Sequence, residues 1–496
     1  SMRLFYLCVC LLAACAAFAE TLPQRSEDFV PMGVYFAVED LWSEYGAQRW
    51  DKFDAALDDM AAHNINTVWL VNANAAFMAE FARRAALRDI YLVACPGEIG
   101  LRSMLELTEE QWRASIEAAK AIWGDAPLPV AWGIYDEPLV TDILKLKRFI
   151  EVFHEVWPNE PIATVLFWPD MSPYFANIGL EYLCADHYAF RPHWTADQSF
   201  SSWRVSGTHF TQDVEPYPTK PWYMGQQFQE LTAGDFTVDS NGLITILPGC
   251  GATWYYPSPA QSQWQVWAAI AYGNKGYYQF VYCYPHSRGL TTTNPLYTYT
   301  QTVETNAPVG MVTYPDLGST AQYEATAEAY GKMTQASSII TGTTRIWRYP
   351  PATLTSSPGV GGLVTVLQEN GGDTRYVVVA APFNVTEDAT MTITVENTFV
   401  GLQDVFSNEV YLPQAGTIEV TLAPGSGTIL EELGRDDTDG DGLPDWRETM
   451  LGTDPAKSDT DGDGVLDGTE VSFGYDPLDP MDIPQTDTVR VPEFAE

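Results

Sequence analysis

From Phe29 onward, short apolar runs alternate with stretches whose apolar residues recur every three or four positions, the pattern of parallel strands joined by helices. Residues 31–38 (PMGVYFAV) read as a first strand. Phe53, Leu57 and Met60 then fall at helical spacing within 50–63, before a strand over 67–71. A helix over 75–87 leads to a strand at 90–94, a helix over 108–123 to one at 130–135, and a helix over 143–157 to one at 162–167. Strands at 182–185 and 221–225 follow, and a helix over 262–272 precedes the last strand, 276–282. Eight strands predict an α/β fold of the (β/α)8, or TIM-barrel, kind, with loops inserted between Tyr188 and Lys220 and between Gln226 and Ser258. A doubly wound open sheet is the competing arrangement, but the Gly-rich phosphate turn that marks its crevice is absent from the sequence.

After about residue 346 the pattern becomes alternation without helices, at 362–368, 376–381, 390–395 and 416–422, separated by Gly, Pro, Asn and Asp. This predicts a small antiparallel β-sandwich over 346–433, read as a packing module. The expected organisation is a leader over 1–19, a barrel over 27–345, the sandwich, a repeat region over 434–482 and a tail over 483–496.

The 496 residues carry a formal net charge of −39, a balance that repels phosphate backbones and anionic lipid. Nucleic-acid and membrane-surface partners are thereby disfavoured. Arg3, the apolar run 4–12 and the small residues after it have the layout of a secretory signal, with Ala17-Phe18-Ala19 suiting cleavage before Glu20. Leu12-Ala13-Ala14-Cys15 also resembles a lipobox, so the expected location is extracellular or periplasmic, with an outer-surface lipoprotein anchored at Cys15 as the alternative. The run is too short to span a bilayer. Cys95, Cys184, Cys250 and Cys283 are scattered through the body, which is no disulfide framework; disulfides and buried free thiols both stay open.

Residues 431–496 hold 20 Asp and Glu against 4 Lys and Arg. Asp437, Asp439, Asp441, Leu443, Asp445 and Glu448 occupy positions 1, 3, 5, 7, 9 and 12 of a calcium loop, with Gly442 at position 6 for the tight turn. Asp459, Asp461, Asp463, Val465, Asp467 and Glu470 repeat the pattern 22 residues later, around Gly464. Two in-register copies predict structural Ca²⁺; the barrel sequence has no His and acid cluster with metal spacing, so no metal is expected for catalysis. The segment resembles the Asp-rich repeats of thrombospondin type 3 and of dockerins, which implies Ca²⁺-dependent folding of a stalk, spacer or docking piece.

The stretch 130–138, VAWGIYDEP, ends an apolar strand at Asp136 and Glu137, where Pro138 forbids continuation. By fold and by its YDEP turn the first 345 residues resemble (β/α)8 glycoside hydrolases, in which an acid/base Glu closes the fourth strand. That resemblance implies Glu137 as general acid/base, and an adjacent Asp136 would raise its pKa as the role requires. The seventh strand departs from the commonest pattern, reading Met224-Gly225-Gln226-Gln227-Phe228 where a nucleophilic Glu is expected. Three substitutes stand open: Asp136 orienting a substrate N-acetyl group, as in substrate-assisted β-N-acetylhexosaminidases; Asp186 after the sixth strand; and Glu230 in the following loop. Glu39 (with Asp40), Asn72 (with Asn74), Glu98, Asp170, His187, Tyr188, Gln226 and Gln227 lie at other strand ends as polar sugar ligands, and Trp168, Trp194, Trp222, Trp254 and Tyr284 as aromatic platforms. Residues 273–284 (GNKGYYQFVYCY) resemble the last strand of several extracellular glycoside hydrolases, although close helix-to-strand packing alone also selects such glycines. The expected partner is a carbohydrate substrate, with a cell-surface or docking partner for the repeats. The competing reading from another class is a non-catalytic carbohydrate-binding or surface-assembly protein that lacks the second carboxylate.

Overall fold

The computed structural model describes residues 26, 28–37, 50–100, 102–167, 169–191, 194–228, 236–238, 244–246, 257–282, 311–312, 318–348, 350–396, 399–434 and 436–482. The chain divides into two compact units, Ser1–Ile393 with Glu419–Ile429 and Thr394–Ile418 with Leu430–Glu496.

In the first unit eight parallel strands close on themselves: β1 (Met32–Ala37), β2 (Thr67–Ala73), β3 (Tyr91–Pro96), β4 (Ala131–Gly133), β5 (Ile162–Leu166), β6 (Tyr182–Asp186), β7 (Lys220–Gln226) and β8 (Tyr277–Phe280). Their order is β1-β8-β7-β6-β5-β4-β3-β2. Met32 pairs with Tyr277 while Gly33 pairs with Thr67, so β1 is the seam that shuts the barrel and excludes the open doubly wound sheet. All six residues of β1 are buried, as a strand covered on both faces requires.

The connecting helices are α1 (Trp50–Ala62), α2 (Ala75–Ala86), α3 (Glu109–Trp123), α4 (Ile143–Val156), α5 (Ala196–Val214) and α6 (Pro259–Ala271), with α7 (Ala321–Gln335) after β8. Between β5 and β6 stand a 3-10 turn, Pro169–Met171, and a four-residue helix, Ser172–Phe175. Thr108, Thr195 and Ser258 start α3, α5 and α6 with reciprocal capping boxes to Gln111, Gln198 and Gln261. Each box satisfies two backbone N–H groups that a helix start leaves unpaired.

Aromatic side chains fill the barrel. Trp69 meets Tyr278 edge-on at 5.3 Å and Trp222 at 6.2 Å, and Trp222 stacks on Tyr182 at 4.0 Å. Burying each such ring contributes roughly 1.5–3 kcal/mol. Glycine makes the room: a Cβ at Gly276 would lie 2.7 Å from Trp222, and one at Gly33 would lie 2.7 Å from Tyr278. Gly273 has φ +93°, a conformation L side chains rarely adopt, so both glycines of 273–276 answer to backbone and packing demands.

Antiparallel strands follow from β9 (Thr343–Arg345). Within the first unit β9 pairs with β11 (Leu363–Glu369), which pairs with β12 (Arg375–Ala380); β10 (Ala352–Ser356) precedes them. Trp264 of α6 donates to Gly361 O at 2.7 Å, tying this sheet region to the barrel helices. In the second unit β14 (Leu402–Asp404) pairs with β15 (Val410–Tyr411) and with residues 430–432. The remaining strands are β13 (Ala389–Val395), β16 (Thr417–Leu422) and β17 (Gly427–Glu432). Two Asp-rich loops in this unit each lead into a seven-residue helix, α8 (Asp445–Leu451) and α9 (Asp467–Phe473). Among the described residues no helix is long and apolar enough to cross a membrane. Cys95 and Cys184 are free thiols, while Cys250 and Cys283 lie outside the described residues.

Candidate active site

β4 stops at Gly133, and the chain leaves it through Tyr135 at φ 37° and Glu137 at φ 52°, conformations unfavourable for side chains with a Cβ. Neighbours hold this turn in place. Thr164 Oγ1 donates to Tyr135 O at 2.6 Å, Tyr135 N donates to Gly100 O at 3.1 Å, and Glu137 N donates to Val165 O at 3.1 Å. The Tyr135 hydroxyl donates to Asp142 at 2.9 Å. Strain fixed by several independent bonds presents Asp136 and Glu137, both exposed, at the carboxyl end of the barrel.

Asp136 accepts from the Tyr35 hydroxyl at 3.3 Å. Glu137 is held above the ordinary carboxylate range by partial desolvation first and by the negative charge of Asp136 second. Asp186, at the end of β6, is 4% exposed. Its Oδ2 accepts from Tyr188 at 3.2 Å, and its Oδ1 has no hydrogen-bond partner among the described residues. Burial, then Glu137 and Asp136, push the Asp186 carboxyl well up, so the three acids act on one another electrostatically. Two strand ends thus supply a carboxyl favouring its protonated form beside others that differ in environment, the arrangement that acid–base cleavage requires.

A cavity of about 580 Å³ opens beside Asp186, walled by Phe167, Asp170, His187, Arg191, Trp194 and Ser202 among others. The Arg191 guanidinium lies 5.1 Å from the Trp194 ring centroid. His187 meets Ser202 Oγ at 2.9 Å, and burial, helped by Arg191, pushes it down to about 4, so it is neutral at pH 7. A second cavity, of about 70 Å³, lies against Asp136 and is lined by Tyr35, Trp69, Val71, Asn72 and Cys95.

The other sequence-derived candidates are dispersed. Glu98 accepts from Ala75 N at 3.0 Å, at the start of α2, and Asn74 caps the same helix through Phe77 N at 2.9 Å. Trp222 lies fully buried in the barrel core, and Gln226 and Gln227 are also fully buried. The Gln226 side chain accepts from Phe190 N at 3.0 Å and donates to Phe190 O at 3.1 Å, while Gln265 clamps its backbone at 2.8 and 3.0 Å. Tyr188 packs edge-on to Phe228 at 4.9 Å. Glu39, Trp168, Glu230, Trp254 and Tyr284 lie outside the described residues. Tyr35, Cys95 and Arg191 join the site without having been singled out; Tyr35 sat in plain view within the first strand, where alternation turns every second side chain inward.

In the second unit, carboxylate oxygens of Asp437, Asp439 and Asp441 lie within 4.8 Å of one another, as do those of Asp459, Asp461 and Asp463. Gly440 and Gly442 donate N–H to Asp437, and Leu443 N–H donates to Asp441; Gly462, Gly464 and Val465 repeat this with Asp459 and Asp463. Asp445 and Asp467 instead hold the backbone N–H of Thr438 and Thr460 at 2.7 and 2.8 Å. Glu448 and Glu470 are fully buried and carry oxygens with no hydrogen-bond partner among the described residues. Burial and the surrounding acids push each of them up to about 7. Buried, orphaned carboxylates beside converging ones fit a hard divalent cation.

Residues 437–458 and 459–480 match the bacterial TSP3 repeat. No curated protein matches the chain. Among solved structures it is similar to one titled glycoside hydrolase, at 10% identity and TM-score 0.49, covering 83% of this chain and 97% of that one. It is also similar to a glycoside hydrolase family 5 protein from Bacteroides vulgatus, at 10% identity and TM-score 0.45, covering 83% and 92%. A third is the endo-beta-1,4-mannanase from Thermotoga petrophila, at 9% identity and TM-score 0.41, covering 80% and 92%.

Proposed function

We propose that the protein is a secreted glycoside hydrolase acting on an extracellular poly- or oligosaccharide, with Glu137 as general acid/base. The observation that carries this reading is the meeting of Asp136, Glu137 and Asp186 at the ends of β4 and β6, with Glu137 and Asp186 both displaced toward their protonated forms. Protonated Glu137 delivers its proton to the leaving glycosidic oxygen, and in its ionised form then takes one from water. Asp186, in its ionised form, is the partner that meets the anomeric carbon or activates water at it, and Arg191, His187 and Trp194 line the bed for the sugar.

The small cavity against Asp136 favours a second form of the same chemistry. Walls of Tyr35, Trp69, Val71 and Cys95 suit the methyl group of a 2-acetamido substituent, with Asp136 at hand for its N–H. The acetamido oxygen then attacks the anomeric carbon and no enzymic nucleophile is required. The Asp-rich repeats bind structural Ca²⁺ and serve as a spacer or docking piece; residues 1–19 direct export.

Aryl glycosides of plain and N-acetylated hexoses, together with polysaccharides, separate these readings when wild type is compared with Glu137→Gln. Turnover lost by about 10²- to 10⁴-fold in a folded Glu137→Gln variant supports the acid/base role. Hydrolysis restricted to N-acetylhexosides selects the substrate-assisted form, and binding without cleavage of any substrate selects the carbohydrate-binding protein instead.

A further inference from the structure

The opposite end of the barrel holds a cavity unrelated to the acids described above. It has a volume of about 160 Å³ and lies where the chain enters β7 and β8. Its walls combine Tyr217, Tyr272 and Trp347 with three cations, Lys220, Lys275 and Arg345, and one carboxylate, Glu215.

Arg345 is the unusual member. Its guanidinium lies between two aromatic rings, 4.7 Å from the Tyr272 centroid and 4.0 Å from that of Trp347. Its Nε and Nη1 are buried and have no hydrogen-bond partner among the described residues. A desolvated guanidinium with unused N–H groups is costly unless an acceptor meets it, because its fork is built for two parallel bonds to an oxyanion. The nearby carboxylate, Glu215, accepts from Trp347 Nε1 through Oε2 at 2.6 Å, and its charge favours the charged forms of Arg345 and Lys275 without meeting the Nε and Nη1 of Arg345. Lys275 gives two of its three protons to Ile340 O at 2.6 Å and Thr343 O at 2.5 Å, which fixes its ammonium in the wall with one donor left. Lys220, at the exposed first position of β7, stands at the rim. A chain with only 26 Lys and Arg against 65 Asp and Glu has gathered three cations around one hollow.

We propose that this cavity is a binding site for a small oxyanion, a sulfate, phosphate or carboxylate group, held by the Arg345 guanidinium with Lys275 and Lys220. The flat walls of Tyr272 and Trp347 orient the guanidinium fork, and the volume admits the anionic group with little else. The site stands independently of the chemistry proposed for Asp136, Glu137 and Asp186.

The test is calorimetric titration of the full-length protein with sodium sulfate, inorganic phosphate and sodium acetate, at ionic strength matched with chloride to cancel screening. The expected result is saturable binding of at least one of the three, identifying which chemistry the site prefers, with unchanged affinity in Glu137→Gln. Arg345→Met keeps the bulk between the rings and removes the donors, and weakens that binding by about tenfold or more. Lys220→Ala, at an exposed position that leaves folding intact, weakens it about two- to fivefold. Absence of binding by all three anions overturns the proposal, as does equal affinity in Lys220→Ala or in a folded Arg345→Met.

Discussion

The hydroxyl of Tyr35 meets Asp136 Oδ2 at 3.3 Å, joining the ends of β1 and β4 across 101 residues of chain. A donor at that carboxylate favours its charged form, and the charge of Asp136 is one of the two causes that raise Glu137. Tyr35→Phe is therefore expected to lower kcat roughly threefold to tenfold with little change in stability, as steady-state kinetics alongside thermal melting will show.

Asp136→Asn gives the sharper signature. A general acid works while it is protonated, so activity falls as pH rises through the Glu137 pKa. Neutralising Asp136 removes an upward influence on that pKa, and the alkaline limb of kcat/KM is expected to move to lower pH. A limb that stays put, or moves to higher pH, separates Glu137 from the rate.

Asp186 makes a stability prediction. Its folded pKa stands well above the ordinary value of 3.8, so between those two values the folded protein binds more protons than the unfolded chain. Stability contributed by protonated Asp186 is present at low pH and is lost as pH rises through the folded pKa. In Asp186→Asn that component of the pH dependence is expected to vanish, with stability at pH 7 equal to or above wild type and turnover sharply reduced. Urea unfolding at a series of pH values, paired with activity, measures both.

Packing under the Tyr135–Glu137 turn is equally open to test. A Cβ added at Gly133 would lie 1.9 Å from Cys95 Sγ, deep between β3 and β4. Gly133→Ala should cost about 1–3 kcal/mol in chemical denaturation, and adding Cys95→Ala should recover a large part of it.

For the repeats, Ca²⁺ removal by a chelator is expected to loosen residues 437–480, read as new protease cleavage confined to them. Glu448→Gln or Glu470→Gln, each removing a buried charge from one loop, should weaken Ca²⁺ affinity by about tenfold or more in a direct titration.

Much of this architecture was legible because strands covered on both faces are apolar almost throughout, as Met32–Ala37 is and as Ile162–Leu166 is apart from Thr164, and because amphipathic helices separate them. The acids at Asp136 and Glu137 were legible because they close an apolar run just before Pro138, although the strand itself already ends at Gly133. Side-chain direction was not. Glu98 and Asn74 occupy strand-end positions like those of sugar ligands, yet their oxygens accept N–H groups at the start of α2, and nothing in strand-end position separates the two uses. The Tyr35 contact was hidden for another reason: it depends on barrel closure, which brings together residues from strands three apart in sequence. The short helix Ser172–Phe175 escaped notice because four residues give no period to read.

Gln226 stands where the resemblance to the commonest (β/α)8 glycoside hydrolases leads one to look for a glutamate. The two residues differ by a single terminal group. Here that group both accepts the N–H of Phe190 and donates to its carbonyl, which an amide does and an ionised carboxylate cannot. A carboxylate in its place would face the Phe190 carbonyl oxygen with negative charge, inside a fully buried setting. Position 226 is thus a joint in the scaffold, where burial and the Phe190 carbonyl oppose the ionised form that a nucleophile would need.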